Sequence, residues 1–159
     1  MIPNYRLVPE VKYPEQLKDV VRSLAWVSEN YDEYNGSFFL SGHSAGAHMA
    51  ALTGFSERWL GEAKLKIDQI CGLILLAGVY QFYPYEKADP RVKRFIGDRC
   101  YWEEAQPFNH AKRSLPPVLL AHGKEDREVL LEQSTRLSEK LTNLSVDNEL
   151  LVEGGAGHL

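Results

Sequence analysis

The sequence predicts an α/β fold with a mainly parallel sheet. Segments with a helical spacing of apolar residues alternate along the chain with short apolar runs, which is the order of a strand–helix–strand fold. The run at residues 70–79 is apolar or small throughout. Such a run is typical of an internal strand in a parallel sheet, because both faces of that kind of sheet are normally covered.

The individual elements follow from periodicity and from turn residues. Apolar residues recur at helical spacing from Leu17 to Val27, and Asn35 and Gly36 mark a turn after this first helix. The predicted helices are residues 14–30, 45–55 and 128–141. The predicted strands are residues 37–41, 70–79, 118–121 and 147–152, with a short strand end at residues 4–8.

Length and composition limit the function classes. The chain has 159 residues, of which 44% are hydrophobic, so it is long enough for one domain with a packed core. Its net charge of −4 argues against nucleic acid and against an anionic membrane surface, since both require basic patches. The longest apolar run is too short to span a bilayer, and residues 1–10 do not have the pattern of a signal peptide. We therefore expect a cytoplasmic protein that binds neither nucleic acid nor membrane.

The stretch at residues 42–46, Gly-His-Ser-Ala-Gly, lies between a predicted strand and a predicted helix. A serine in this position takes a tight turn that lifts its hydroxyl clear of the sheet, and the next helix points its first N–H groups at the same place. Small residues at this point also allow a helix to pack closely on a sheet, which is the alternative interpretation. Whether Ser44 is a nucleophile depends on whether the rest of the sequence supplies a base and an acid for it.

A nucleophilic serine needs a base, and the base needs an acid that orients it. Asp126 follows the third long strand and His158 follows the fourth, so both lie at the edge where open parallel sheets form their sites. Asp126 could instead be a solvated turn residue or a helix cap, with Glu125 as its rival, and His158 could be a frayed terminal residue. Because residue type, order and place agree, we predict that Ser44, Asp126 and His158 are the catalytic residues.

The remaining histidines have different predicted roles. His43 is predicted to lie beside the serine turn and to contact substrate. His48 comes one helical turn after Ser44 and is predicted to be a packing residue, whereas His122 is predicted to hydrogen-bond the turn that holds Asp126. The histidines do not have the spacing of a metal-ligand motif, so we expect neither a metal nor another cofactor.

Four motifs together resemble the α/β-hydrolase superfamily. They are Asn-Tyr-Arg-Leu at 4–7, Gly-His-Ser-Ala-Gly-Ala-His at 42–48, Pro-Pro-Val-Leu-Leu-Ala-His-Gly at 116–123 followed by Asp126, and Gly-His at 157–158. The second motif is similar to that of the esterase/lipase branch, which contains kynurenine formamidase (arylformamidase) and small carboxylesterases. The resemblance implies a three-layer sandwich with Ser44 as nucleophile, Asp126 as acid and His158 as base. It also implies that the backbone N–H of Ala45 is one oxyanion-hole donor.

The aromatic stretch at residues 80–116 is predicted to be irregular. It falls where enzymes of this superfamily place part of a cap or acyl pocket, so the resemblance implies substrate contacts for Tyr80 and Phe82. Ordinary packing of the aromatic side chains is the alternative. The expected organisation is one partial α/β-hydrolase domain over residues 1–159, with a cap-like insertion at residues 80–116.

The superfamily normally has an HGG-type loop and further strands before the Asn-Tyr-Arg-Leu strand, and a final helix after the histidine loop. This sequence does not show them, so we expect a domain that is truncated at the N-terminus and at the C-terminus. Unpaired strands at an open sheet edge favour association. The expected partners are a second copy of the chain or a complementing N-terminal chain, besides a small-molecule substrate.

The expected function is a serine hydrolase that cleaves a small carboxylic ester or an N-formyl aryl amide through an acyl-enzyme, without a cofactor. The alternative is a catalytically impaired hydrolase fragment that acts only as an interaction or assembly partner. The missing HGG-type loop favours this alternative, because loss of one oxyanion donor costs about 10²- to 10³-fold in turnover.

Overall fold

The structure, a computed structural model, describes residues 1–30 and 37–158. Its strands are β1 (Phe38–His43), β2 (Ile70–Leu76), β3 (Val118–Gly123) and β4 (Asn148–Glu153). They form one parallel sheet in the order β1-β2-β3-β4. The predicted α/β fold with a mainly parallel sheet is confirmed, while the turn predicted at Asn35 and Gly36 lies outside the described residues.

The helices flank and connect these strands. They are α1 (Glu15–Asn30), α2 (Ala45–Phe55), α3 (Glu57–Glu62), α4 (Pro90–Ile96), α5 (Pro107–His110) and α6 (Glu132–Asn143). The helix α2 is buried along nearly its whole length, because its residues are apolar or small on every side. Within the described ranges, no helix is long and apolar enough to cross a bilayer. The cytoplasmic location stays a prediction.

The core lies on the face of the sheet that α2 and α6 cover. Leu40, Leu73 and Leu120 point to this face and are at most 7% exposed. Residues that alternate with them along the strands point to the opposite face. There, Phe39 is 67% exposed and Leu151 is 47% exposed. One face of the sheet therefore forms the core, and the other carries apolar surface.

Residues 4–8 do not form the predicted strand end. Arg6 instead holds this segment against α1, because its guanidinium lies 2.8 Å from each carboxylate oxygen of Asp19. The Arg6 N–H also donates to Asp19, over 3.1 Å. Among the described residues, β1 is the edge of the sheet and residues 4–8 pair with no strand.

The elements α6 and β2 differ most from their predicted bounds. The helix α6 begins four residues later, because the Asp126 carboxylate accepts hydrogen bonds from the N–H groups of Glu128 and Val129, both at 2.9 Å. Such a side-chain–backbone turn competes with helical hydrogen bonds. The strand β2 ends at Leu76 rather than at residue 79, since Ala77 turns the chain with a φ of 46°.

The stretch at residues 80–116 contains α4, α5 and short 3₁₀ turns. Its aromatic rings pack against one another and against the start of the chain. The ring centroids of Trp102 lie 5.1 Å from Phe82 and 5.0 Å from Tyr85, and those of Tyr13 and Phe95 are 6.2 Å apart. These contacts favour the packing interpretation, while the cap-like insertion and the single-domain organisation stay predictions.

Candidate active site

Ser44 occupies the turn between β1 and α2. Its backbone has φ 53° and ψ −117°, a conformation that residues with a side chain rarely adopt. The Ser44 N–H donates to the carbonyl oxygen of Leu76 at the end of β2, over 2.8 Å. Ala45 begins α2 directly after the turn, and the N–H of a first helical residue has no partner within its own helix. The predicted strand–turn–helix geometry is present.

Gly42 makes this turn possible. A Cβ at Gly42 would lie 2.3 Å from both the carbonyl carbon and the carbonyl oxygen of Gly46, and 2.6 Å from the nitrogen of Ala47. A Cβ at Gly46 would meet no atom of the described residues within 4 Å, apart from the backbone of its own helix. The first glycine of the motif is therefore required for the close approach of β1 and α2, whereas the second fills no such role.

The structure brings together the three residues that the sequence predicted as catalytic. His158 Nε2 lies 2.9 Å from Ser44 Oγ, and His158 Nδ1 lies 2.7 Å from Asp126 Oδ2. An ionised carboxylate only accepts hydrogen bonds, so His158 carries its proton on Nδ1 and its Nε2 accepts from the serine hydroxyl. This is the arrangement of a nucleophile, a base and an acid that orients the base.

The Asp126 side chain is fully buried. Burial by itself raises the pKa of Asp126, but hydrogen bonds from His158 and from the N–H groups of Val129 and Glu128 outweigh this effect and hold the pKa below its usual value. Asp126 is therefore ionised at neutral pH. The buried carboxylate thus orients the His158 ring, with Nδ1 towards Asp126 and Nε2 towards Ser44.

The loop that carries His158 is held against the end of β3. Glu125 N–H donates to the carbonyl oxygen of Ala156 over 2.9 Å. A Cβ at Gly123 would lie 2.4 Å from the same oxygen, so this approach also requires a glycine. Glu125 is exposed. It therefore supports the loop through its backbone, and the acid beside His158 is Asp126.

His43 lies next to the base. The ring centroids of His43 and His158 are 4.7 Å apart. Burial and, secondly, the nearby His158 lower the pKa of His43, although Asp126 acts in the opposite direction. His43 is therefore neutral at pH 7, and its buried Nε2 has no hydrogen-bond partner among the described residues. Its contact with substrate stays a prediction.

Two further histidines have the packing and hydrogen-bonding roles that the sequence predicted. His48 is 4% exposed, its Nδ1 donates to the carbonyl oxygen of Val79 over 2.8 Å, and its ring stacks on Phe82. Burial lowers the pKa of His48 to about 4, so it is a neutral packing residue. His122 Nε2 donates to the carbonyl oxygen of Val129 over 2.8 Å, within the turn after the buried aspartate.

The predicted substrate contacts in the aromatic stretch lie at different depths. Tyr80 is 0% exposed, so it belongs to the core rather than to a surface that substrate reaches. Phe82 is only partly buried. Gln133 of α6, which the sequence did not single out, accepts from the N–H groups of Tyr80 and Gln81 and donates to the Gln81 carbonyl, each over 2.8 Å. No signal in the sequence singles out Gln133, because it occupies an ordinary polar position of an amphipathic helix.

Comparisons with solved structures give the class of this protein. The chain superposes with a TM-score of 0.82 on a truncated carbohydrate esterase from gut microbiota, over 98% of this chain and 65% of the other, at 20% identity. It also superposes on an acetyl ester-xyloside bifunctional hydrolase from Caldicellulosiruptor lactoaceticus, with a TM-score of 0.80 over 98% and 61% of the two chains, at 23% identity. The fold is that of an α/β-hydrolase.

The family follows from a match along the sequence. A family model described as BD-FAE matches residues 1–141, and the chain belongs to this family. Esterase LipC of Mycobacterium tuberculosis is 28% identical over 98% of this chain and 43% of its own length. Kynurenine formamidase of Meyerozyma guilliermondii is 35% identical over 92% of this chain and 60% of its own length. The predicted esterase branch of the α/β-hydrolases is confirmed, and the chain spans less than two thirds of these relatives.

Proposed function

We propose that this chain carries the catalytic residues of a carboxylic ester hydrolase in which Ser44 is the nucleophile. The main support is the unbroken series of contacts from Ser44 Oγ through His158 to Asp126, at 2.9 Å and 2.7 Å. The relatives named as an esterase and as a formamidase are consistent with this reaction type.

In the proposed reaction, Ser44 Oγ attacks the carbonyl carbon of the substrate while His158 Nε2 takes the hydroxyl proton. The carbonyl oxygen becomes negatively charged and accepts a hydrogen bond from the N–H of Ala45. His158 then gives the proton to the leaving alcohol or amine, and the acyl group stays on Ser44. Water, deprotonated by His158, attacks the acyl carbon, and His158 returns the proton to Ser44 Oγ as the acid is released. Asp126 stabilises the imidazolium in both steps.

The proposed substrate is a small carboxylic ester or an N-formyl aryl amide. Both have a small acyl group, and both need a proton at the leaving oxygen or nitrogen, which His158 supplies. Neutral His43 beside the base and partly buried Phe82 are the proposed substrate contacts. No step of this mechanism requires a cofactor. Rates with phenyl acetate and with N-formylkynurenine, measured in parallel, decide between the two substrate types.

The experiment that tests the proposal is labelling with a fluorophosphonate, which reacts with a serine that is activated and close to an oxyanion site. Intact mass and peptide mapping should show one adduct at Ser44, absent from Ser44→Ala and from protein denatured before labelling. Ser41→Ala is a matched control, because Ser41 lies three residues earlier on β1 and is exposed. A folded chain that stays unlabelled at Ser44 would contradict the proposal.

A second candidate function is assembly, which the exposed face of the sheet favours. Phe39 and Leu151 place apolar surface on this face, and β1 is the edge strand of the described sheet. We propose a second copy of the chain as the partner, because a two-fold association brings the same patch of both copies together. A complementing chain is the other outcome of the test.

Sedimentation velocity over a range of concentrations tests assembly. A self-associating chain should shift from monomer to dimer, and Phe39→Ser should weaken the dimer. Leu130→Ser is the matched control, since Leu130 is 53% exposed and lies outside the sheet. A chain that is monomeric at all concentrations contradicts self-association and leaves a complementing chain as the partner to seek.

A further inference from the structure

A second histidine contacts the buried carboxylate of Asp126. His122, at the end of β3, is 3% exposed, and its Nε2 lies 3.3 Å from Asp126 Oδ2. The same nitrogen lies 2.8 Å from the carbonyl oxygen of Val129. The other ring nitrogen, Nδ1, lies 2.7 Å from the hydroxyl of Ser134, which is 0% exposed on the first turn of α6. The proposed acid thus has two histidine partners at the same carboxylate oxygen, His158 at 2.7 Å and His122 at 3.3 Å.

These distances determine where the proton of His122 lies. A carbonyl oxygen can only accept, so the His122 nitrogen that faces Val129 carries the proton. The Ser134 hydroxyl, which can donate or accept, bonds His122 Nδ1 on the other side of the ring. The ring cannot turn over without losing both hydrogen bonds. Val129 and Ser134 together therefore hold the ring so that the Nε2 N–H lies beside Asp126.

We propose that His122 and Ser134 are positioning residues for Asp126, an inference that rests on the proposed function. Val129 is held on both sides, because its N–H donates to Asp126 Oδ1 at 2.9 Å while its carbonyl oxygen accepts from His122. This closes the turn around the carboxylate. Asp126 Oδ2 then stays directed at His158 Nδ1, at 2.7 Å.

The titratable groups that face Asp126 are His158 and His122, with His43 next to His158. The His122 N–H lies close to the oxygen that contacts His158, so it adds a second N–H beside the buried negative charge. Loss of this group would leave the carboxylate with fewer contacts to hold its orientation.

Kinetics of four variants test this role. We expect Ser134→Ala to lower kcat for phenyl acetate about tenfold with KM unchanged, as for loss of one buried hydrogen bond. His122→Leu should lower kcat about 10- to 100-fold, and His122→Gln, which keeps an N–H donor, should recover most of it. Ser138→Ala is the matched control: Ser138 lies one turn later on α6, bonds Asn148 over 2.8 Å, and should leave kcat unchanged.

A measurement without substrate separates this inference from the proposed function. In ¹⁵N-histidine NMR spectra, His122 Nε2 should carry a proton, and the Nδ1 proton of His158 should give a protected downfield signal. We expect Ser134→Ala and His122→Leu to broaden or lose the His158 signal, while Ser138→Ala keeps it. A His122 Nε2 without a proton, or folded variants that keep both kcat and the His158 signal, would overturn the inference. A wild-type chain with the expected spectrum but no hydrolysis would contradict only the proposed function.

Discussion

The turn that carries Ser44 is held by backbone contacts, whereas the turn that carries Asp126 is held by hydrogen bonds of side chains. Gly42 allows β1 and α2 to approach, and the φ of 53° at Ser44 lies inside the five-residue motif itself. Asp126 depends on His158 for one oxygen and on a turn that His122 braces. Between the two, the loop of His158 is held by backbone contacts to the end of β3.

This difference shows two ways in which a fold fixes a reactive side chain. A turn built from backbone is sensitive to added volume, because a single Cβ cannot be accommodated. A turn built from side chains is sensitive to the loss of donors and acceptors, including those on the helix that follows it. Substitutions that add a Cβ to the first turn, or that remove a hydrogen-bonding group from the second, therefore test this difference between the turns.

The largest effect is expected from Ser44→Ala. It should lower kcat/KM for an aryl acetate by at least about 10⁴-fold, because removal of the nucleophile leaves only binding and oxyanion contacts. Initial rates over a range of substrate concentrations measure this, and an unchanged unfolding midpoint shows that the turn is intact. Residual activity above about 1% of wild type would mean that another group performs the attack.

Asp126→Asn should lower kcat by about 10⁴-fold, because a neutral amide cannot stabilise the imidazolium and can donate to His158 in the wrong tautomer. Rates measured from pH 5 to pH 9 check the loss at every pH. Asp147→Asn is the matched control, since Asp147 is exposed and precedes β4 at the opposite end of the sheet. Equal losses in both variants would argue against a special role for Asp126.

Gly42→Ala should destabilise the chain by about 3–5 kcal/mol and abolish fluorophosphonate labelling, because its Cβ would overlap the backbone of Gly46. Gly46→Ala should leave the free energy of unfolding unchanged or raise it by up to about 1 kcal/mol, since alanine favours a helix over glycine. Urea unfolding of the two variants measures both values. Similar destabilisation in both would show that the turn does not depend on the first glycine.

Gly123→Ala should cost about 1–3 kcal/mol, because its Cβ would meet the carbonyl oxygens of Ala156 and Gly157. We expect the loop of His158 to move away from Ser44. The labelling rate should therefore fall by a larger factor than the added population of unfolded chain would explain. Gly157→Ala is the control, since a Cβ there would meet no described atom within 4 Å. Labelling rates and urea unfolding, compared on the same samples, would contradict this if only stability changed.

The smallest effect concerns His48, which is buried behind the serine turn. Its pKa is about 4 in the folded chain and about 6.5 when unfolded, so between these values the unfolded state binds more protons. The free energy of unfolding should therefore fall as pH drops from 6.5 towards 4, by at most about 3 kcal/mol. Urea unfolding across this pH range should show the slope in wild type and a reduced slope in His48→Asn. An equal slope in both would assign it to other groups.

The sequence predicted the strands, the central helix and the relation of Ser44 to both, because these depend on local spacing and on the motif at residues 42–46. It also placed Asp126 and His158 at one sheet edge, since parallel strands carry their ends to the same side. It missed Gln133 and Ser134, whose hydrogen-bond partners lie 12 to 53 residues away. It also mistook residues 4–8 for a strand end, because their neighbours in space cannot be derived from their own residue types.

By itself, then, the sequence predicted a nucleophile, an acid and a base, and it determined the order in which the chain presents these three residues. These properties depend on interactions between residues near one another along the chain. Only the tertiary structure decided which side chains meet: that Tyr80 is buried, that His43 lies against His158, and that His122 closes the turn around Asp126. Such contacts depend on how helices and strands pack over long sequence separations, and a few tenths of an ångström there decide whether a hydrogen bond forms.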